Sequence, residues 1–153
     1  MRNQHVQSQL GFSFMELMVV ITVIGIMLAV ALPYLRTSTS KASARGAADA
    51  VTALHARARM AAISRGRTAK LVIPAGTNKV LVIASKVTTT GIDTLGKVVD
   101  LAGQYGVTIT STSDTVSFSP RGIGTFNSAI TIIISKSGFS DTLRISRGGR
   151  LSR

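Results

Sequence analysis

Apolar residues fill one unbroken stretch near the start of the chain, from Leu17 to Leu35, and no charge follows it until Arg36. As a helix, these nineteen residues would be about 28 Å long, close to the thickness of the hydrocarbon core of a bilayer. The stretch therefore predicts a membrane-inserted helix. A buried core helix is the alternative, although its length and purity disfavour it. No small-residue cleavage pattern follows, so we expect the stretch to be retained rather than removed as a secretory signal.

A second helical pattern follows, in which small apolar residues recur at spacings of three and four. The stripe consists of Ala44, Ala47, Ala48, Val51, Leu54, Ala58, Ala61 and Ala62. Such a stripe suits close packing against a sheet or another helix. Pro33 lies within the nearly continuous helical pattern, so we expect a kink in one long helix rather than a break. Gly66 is the expected helix stop.

Beyond Arg67 the pattern changes to an alternation rich in β-branched residues, which predicts strands. Turn signals separate seven such segments: Thr68–Pro74, Lys79–Lys86, Lys97–Ala102, Gly106–Thr110, Thr115–Ser119, Ala129–Ser135 and Thr142–Arg147. Short strands at this spacing predict an antiparallel sheet that folds over itself. The predicted fold class is α+β, with one long N-terminal helix packed on a small antiparallel β domain.

The charge balance is strongly basic, with 18 lysines and arginines against six acids and a formal net charge of +12. Most of this charge follows the apolar stretch. A surface of this kind favours a polyanionic partner, such as nucleic acid, anionic lipid or an acidic protein, although it also serves simple solubility. The chain has no cysteine, which excludes disulfides, thiolate metal sites and a cysteine nucleophile.

Residues for enzymatic chemistry are scarce. The two histidines are His5 and His55, and the aspartates are scattered without a spaced pair. The glycine-rich piece Gly122–Gly124 lacks the lysine and serine of a phosphate loop. We therefore expect no catalytic residue, no metal site and no cofactor, and interpret His55 as a helix-surface or packing residue.

The arginines form two clusters. The first, at the end of the predicted helix, comprises Arg57, Arg59, Arg65, Arg67 and Lys70, with no acid among them. The second occupies the last ten residues and comprises Arg144, Arg147, Arg150 and Arg153. Guanidinium groups can follow a phosphate backbone, and aromatic stacking platforms are sparse, so backbone electrostatics would dominate any DNA binding. The alternative interpretation of each cluster is a solvated surface without a partner. For the second cluster, a frayed chain terminus is a further alternative.

The N-terminal residues carry a specific motif, Gly11-Phe12-Ser13-Phe14-Met15-Glu16, directly before the apolar helix. This motif closely resembles the class III signal of type IV pilins and type II secretion pseudopilins. The resemblance implies that a prepilin peptidase cuts after Gly11 and methylates the new amino terminus at Phe12. It further implies a single-pass inner-membrane protein, with a periplasmic β domain, that later joins a pilus or pseudopilus.

Four segments result from this reading. They are a cleaved leader at 1–11, a transmembrane and assembly helix at 12–35, an amphipathic continuation at 36–66, and a β domain with a basic tail at 67–153. Glu16 is the single glutamate of the chain. Within the family it would pair with the new amine of Phe12, in its own chain or presented by a neighbouring subunit, and so register assembly.

The β region resembles the FimT minor pilins and the H-type pseudopilins, through Phe118-Ser119-Pro120-Arg121-Gly122 and a closing Gly149-Arg150. Some FimT-like proteins bind DNA during natural transformation through a tail reading Gly-Arg-x-Arg. Here one extra residue separates Arg150 from Arg153, which in an extended strand would place them on opposite faces, whereas a flexible tail would bring both to phosphate.

Two functions follow from the resemblance. The first is a minor pilin that binds DNA for uptake, with Arg144, Arg147, Arg150, Arg153, Arg65 and Arg67 as phosphate contacts. The alternative is an H-type minor pseudopilin of a type II secretion system that contacts other pseudopilins and not DNA. In both, other pilins or pseudopilins and the prepilin peptidase are partners.

Overall fold

The computed structural model describes residues 11–85 and 91–153. The chain divides into two compact units, Met1–Arg36 and Thr37–Arg153. Most of the predicted leader, the last residue of the predicted strand Lys79–Lys86, and the start of the turn after it lie outside the described residues.

The first unit contains the beginning of a single long helix, α1 (Phe14–Arg65). Every residue from 11 to 39 is exposed, and by length and composition α1 can cross a membrane. Its apolar residues surround the helix on all sides, as expected where lipid rather than a protein core covers them. Pro33 lies inside α1 and does not break it, in agreement with the sequence pattern.

The second unit begins with the remainder of α1, whose alanine-rich stripe is buried. The buried positions are Ser40, Ala44, Ala47, Ala48, Val51, His55, Ala58 and Ala62. The helix ends at Arg65, where Gly66 adopts a left-handed φ of 60°. The amide of Gly66 donates to the carbonyl of Ile63, and that of Arg67 to the carbonyl of Ala62. This is a Schellman cap, and the predicted stop at Gly66 is confirmed.

The first sheet has five antiparallel strands. They are β1 (Ala69–Val72), β2 (Lys79–Ser85), β3 (Ile92–Thr94), β4 (Val99–Asp100) and β6 (Thr115–Phe118), in the order β3-β2-β1-β6, with β4 also paired to β2. The second sheet has four antiparallel strands in the order β5-β7-β8-β9. They are β5 (Thr108–Ser111), β7 (Ile130–Lys136), β8 (Phe139–Ile145) and β9 (Leu151–Ser152). The β region therefore forms two sheets rather than one.

One predicted strand, Lys97–Ala102, is wrong at both ends, since only Val99 and Asp100 form a strand. After β4 the chain turns into a short helix, α2 (Leu101–Tyr105). The side chain of Asp100 accepts a hydrogen bond from the amide of Gly103, so Asp100 caps the helix, and Gly106 ends it in the left-handed region. The helix cap formed by Asp100 has thus overridden the strand pattern. Leu101, the first residue of α2, is buried in the core.

The chain terminus is also more ordered than a frayed tail. Arg144 pairs with Ser152, and Ile145 with Leu151, so the last residues extend the second sheet as β9. Strand β3 was likewise absent from the predicted set. Both strands are only two or three residues long, too short for an alternating pattern to reveal them.

Both sheets and the alanine face of α1 enclose one core. Its largest fully buried side chains include Phe118, Leu71, Leu101, Leu143 and Ile145. Alanines on the helix let the sheets approach it closely, so the branched and aromatic residues of the strands fill the space between. The predicted packing of the helix on a small antiparallel β domain is confirmed.

Candidate functional site

The processing segment lies at the beginning of α1. Gly11, Phe12 and Ser13 precede the helix and are exposed, and a Cβ on Gly11 would meet no atom within 4 Å. An exposed, unfolded segment with a glycine is accessible to an enzyme that must approach the backbone closely. In the structure, the residues at the predicted cleavage position are exposed to solvent.

Glu16 lies in the first turn of α1. The positive end of the helix dipole favours a carboxylate there. Within the part of the chain that the structure describes, Glu16 forms no ion pair, and its side chain is exposed. Its charge therefore remains available to a partner outside the described residues, as the sequence-based hypothesis of subunit registration requires.

A basic junction forms where two loops of the second unit meet at one end of the β sheets. The first is the turn between β6 and β7, residues 119–126, and the second is the turn between β8 and β9, residues 146–150. The amide of Gly124 donates to the carbonyl of Gly148 at 3.3 Å, and Phe118 forms an isolated bridge with Gly124. Each turn is closed internally, by Ser119 with Ile123 and by Ser146 with Gly149.

Glycines make this junction possible. A Cβ on Gly124 would lie 2.7 Å from the carbonyl oxygen of Arg147, and one on Gly122 would lie 2.7 Å from Cδ1 of Ile63. Gly149 combines a φ of 82° with a Cβ position 2.9 Å from Cε1 of Phe118. Larger residues would separate the two turns from each other and from α1. The sequence signature around Phe118–Gly122 and Gly149 thus marks a packing requirement.

His55, on α1, packs beneath the junction against the ring of Phe118. Its ring lies edge-on to Phe118, with 5.1 Å between the ring centroids, and only 6% of its surface is exposed. Burial lowers the pKa of His55 below its usual value, a backbone hydrogen bond with Gly149 opposes that shift, and the charge of Arg59 adds to it. The Nε2 atom has no hydrogen-bond partner in the described structure. His55 is therefore a buried packing residue, one of the two alternatives that the sequence left open.

Three arginines project from the junction. Arg121 lies in the first turn, and Arg147 and Arg150 lie in the second; all three are exposed. Among the described residues none of the three forms a salt bridge. Arg144 is exposed on β8, between its register partners Thr131 and Ser152. Sequence reasoning selected Arg144, Arg147 and Arg150 but missed Arg121, although the Pro120-Arg121-Gly122 turn identified an exposed position.

The remaining predicted arginines have partners within the fold. Nη1 of Arg65 lies 3.0 Å from Oδ2 of Asp93. Arg67 is half-buried and follows the cap of α1. Arg153 donates to Asp141 of β8 and, from Nη1 at 2.8 Å, to Oδ1 of Asp49 on α1. These two carboxylates raise the pKa of Arg153. The structure therefore separates Arg65 and Arg153, which are paired, from the exposed set at the junction.

The described residues contain no group of three or more histidines, cysteines and acids that would hold a metal ion. Of the five aspartates, Asp49, Asp93 and Asp141 pair with arginines and Asp100 caps α2.

A long helix that is apolar in its first part, with a small antiparallel β unit packed on its second part, defines a pilin-like fold. Two family models match the chain. The prokaryotic N-terminal methylation motif matches residues 7–32, and the family described as type II transport protein GspH matches residues 47–149. The chain belongs to this GspH family, within the superfamily of type IV pilins and pseudopilins.

Solved structures show the same fold. A crystal structure of the type IV minor pilin FimU of Pseudomonas aeruginosa is similar with a TM-score of 0.61 and 18% identity, covering 74% of this chain and 90% of that one. The minor pseudopilin EpsH from the type 2 secretion system of Vibrio cholerae is similar with a TM-score of 0.58 and 13% identity, covering 72% and 94%. No curated protein matches the sequence.

Proposed function

We propose that this chain is a FimT-like minor type IV pilin whose basic junction binds DNA during uptake in natural transformation. In this proposal a prepilin peptidase cleaves after Gly11 and methylates Phe12. The apolar part of α1 then holds the protein in the inner membrane, with the β unit in the periplasm, until the helix enters a pilus. The N-terminal methylation motif and membership of the GspH family support the filament part of the proposal.

One observation carries the DNA-binding part. Arg121, Arg147 and Arg150 project from two turns, and none of them forms a salt bridge within the described residues. A hydrogen bond from the amide of Gly124 to the carbonyl of Gly148 joins the two turns. Cationic side chains held near one another without internal partners can neutralise neighbouring phosphates with little reorganisation. Arg144 extends this surface along β8. Arg65 and Arg153 would first have to leave their aspartates, so we expect them to contribute less.

The DNA-binding part predicts an affinity that tolerates sequence and falls steeply with salt. Titration of the protein with a short duplex at several KCl concentrations gives the slope of log affinity against log salt. Each neutralised phosphate contributes about −0.9 to this slope on duplex DNA. Replacing Arg121, Arg147 and Arg150 together by alanine should remove up to about 2.7 from its magnitude.

Matched controls distinguish the effect of the junction arginines on DNA affinity from the effect of the net charge of the protein. Arg65→Ala and Arg153→Ala each remove one positive charge but begin from paired side chains, so they should change the slope less than Arg150→Ala. If a variant with Arg144, Arg147, Arg150 and Arg153 all replaced by alanine bound DNA as the wild type does, the tail would have no part in binding.

A second candidate is an H-type minor pseudopilin of a type II secretion system. The family match supports it, since the GspH family is described as a type II transport protein. This candidate predicts no DNA affinity at physiological salt and incorporation into a pseudopilus through contacts with other pseudopilins. The same titration, with filament fractionation, separates the two candidates.

A further inference from the structure

The helix α1 presents a second apolar stripe, on the side opposite the core. It consists of Ala53, Ala56, Met60 and Ile63, at spacings of three and four, and all four side chains are exposed. We call these four residues the outer stripe. Met60 is 64% exposed and Ile63 47%. Single exposed apolar residues are ordinary, but four aligned on one helix face form a continuous surface.

Features on both flanks extend this surface. On one side the tip of Ile63 lies against Gly122, and the exposed Ile123 follows in the same turn. On the other side Met60 lines a groove of about 410 Å³, together with Ala61, Ser64 and Leu95. The guanidinium of Arg57 lies over Gly96 at this groove. The outer stripe therefore lies between an apolar turn on one side and a groove on the other.

The charges around the outer stripe are positive. Arg57 lines the groove with Met60, and Nε of Arg59 lies beside Gly122, the glycine that follows Arg121. Asp93, the carboxylate that lines the groove, is paired with Arg65. Contact with phosphates would bury none of the apolar surface of the outer stripe favourably, because phosphate binding is electrostatic. Apolar side chains of a partner protein would remove that surface from water, which is favourable. An apolar centre with a charged rim is the usual composition of a protein interface, and methionine adapts readily to a partner's shape.

The charge of the chain argues against a second copy as the partner. The protein has 18 basic and six acidic residues, and in the described structure Asp49, Asp93 and Asp141 are paired while Asp100 caps α2. A copy would bring its own arginines to the rim, and like charges repel. A different protein with carboxylates around an apolar patch would complement the rim.

We infer that the outer stripe and its arginine rim dock the acidic, apolar-bearing surface of a different subunit of the same filament. The inference rests on the filament part of the proposed function, and Arg121 is the residue that the rim shares with the proposed DNA-binding surface. It predicts that this minor subunit occupies a position set by one acidic neighbour, because the rim disfavours self-association.

Site-specific photocrosslinking in the producing cells tests the inference. A benzophenone amino acid replaces Ala56 in the full-length chain, and Ile133, exposed on β7, is the matched control position. The expected result is an adduct from position 56, absent from position 133, with a different filament subunit. Mass spectrometry of the adduct identifies that subunit, whose sequence should be acidic.

Perturbing variants make the test specific. With the crosslinker at position 56, Met60→Asp and Arg57→Glu should each reduce the adduct at least about tenfold, since central interface residues commonly contribute that much. Ile133→Asp should leave it unchanged. Met60→Ser is the milder variant, and all are compared at equal amounts of protein in sheared filaments.

The opposing outcomes are distinct. An adduct with a second copy, an adduct with nuclease-sensitive DNA, no adduct above the position-133 level, or an adduct insensitive to both Met60→Asp and Arg57→Glu would each overturn the inference. The filament part of the proposed function is read separately, from methylation of Phe12 and recovery in sheared filaments. DNA binding is read from the salt titration of the Met60→Ser protein, which keeps every arginine.

Discussion

Gly149 lies in the turn that carries Arg147 and Arg150, and its backbone is in the left-handed region with a φ of 82°. A side chain at this position would also meet Phe118 and the backbone of Gly124. Two separate physical constraints therefore require glycine here. By contrast, Gly148, its neighbour, has no positive φ and would meet nothing within 4 Å.

This contrast gives a prediction. Gly149→Ala should destabilise the second unit by about 1–2 kcal/mol from the left-handed backbone alone, with a further cost from the contact with Phe118. Gly148→Ala, the adjacent control, should have a small effect. Urea unfolding of both variants measures the difference. Equal unfolding midpoints would show that the junction does not depend on the close approach of Gly149.

His55 gives a prediction of pH dependence. Because burial lowers its folded-state pKa, the unfolded chain binds the proton more tightly, and stability rises with pH. The contribution is complete above the unfolded-state pKa of about 6.5. It is lost as the pH falls from there towards the lowered folded-state pKa.

The measurement compares urea unfolding midpoints at pH 8 and in the mildly acidic range. The wild type should lose stability across this interval, and His55→Phe, which keeps an aromatic ring beside Phe118 but cannot titrate, should lose less. Identical pH profiles for the two proteins would mean that His55 is not the group responsible.

At the scale of elements, the order of strand β9 depends on the side-chain contacts of Arg153. Its two residues supply few backbone pairings with β8, and Arg153 adds contacts with Asp141 and with Asp49 of α1. Exposed ion pairs contribute little to global stability, usually below about 1 kcal/mol. Their effect should appear instead in the local order of a short edge strand.

We therefore predict that Arg153→Ala accelerates amide hydrogen exchange at Leu151 and Ser152 while the global unfolding free energy changes by less than about 1 kcal/mol. Arg144→Ala is the matched control, since Arg144 is exposed on β8 without a salt bridge in the described structure. Unchanged exchange in Arg153→Ala would show that backbone pairing alone holds β9.

At the scale of the whole molecule, one chain combines a helix long and apolar enough to span a membrane with a β unit that carries exposed arginines. The part of α1 that lies in the first unit is apolar on all sides, and Glu16, in its first turn, forms no ion pair within the described residues. A carboxylate in this position is costly in a bilayer unless it gains a cationic partner. The amine that cleavage would create at Phe12, in the same chain or a neighbouring subunit, would provide one.

The corresponding prediction concerns processing and assembly. Gly11→Ala should reduce cleavage and therefore methylation, and Glu16→Ala should reduce recovery of the protein in sheared filaments. Thr22→Ala is the control, since Thr22 is another polar residue of the same helix and its hydroxyl donates to the carbonyl of Met18 one turn earlier. Mass spectrometry of the amino terminus and immunoblots of filaments provide the readouts. Unchanged processing and incorporation in both variants would exclude the assignment of this segment.

The sequence by itself determined the features that depend on local patterns. Hydrophobicity alone predicted the membrane-length segment, the alanine stripe predicted the buried face of α1, and Gly66 predicted its end. The N-terminal motif, being contiguous, indicated the superfamily. These features were predictable because residues close in the chain decide them, through helical periodicity and capping.

Tertiary structure decided what depends on residues distant in the chain. Asp49 and Arg153 are 104 positions apart, so no local pattern could show that the terminal arginine is paired and Arg150 exposed. The junction likewise unites the Arg121 turn with the tail through a bond between Gly124 and Gly148. Charge counts in the sequence treat all arginines alike. Only packing, which places some beside carboxylates and leaves others in solvent, distinguishes structural arginines from those free to bind a partner.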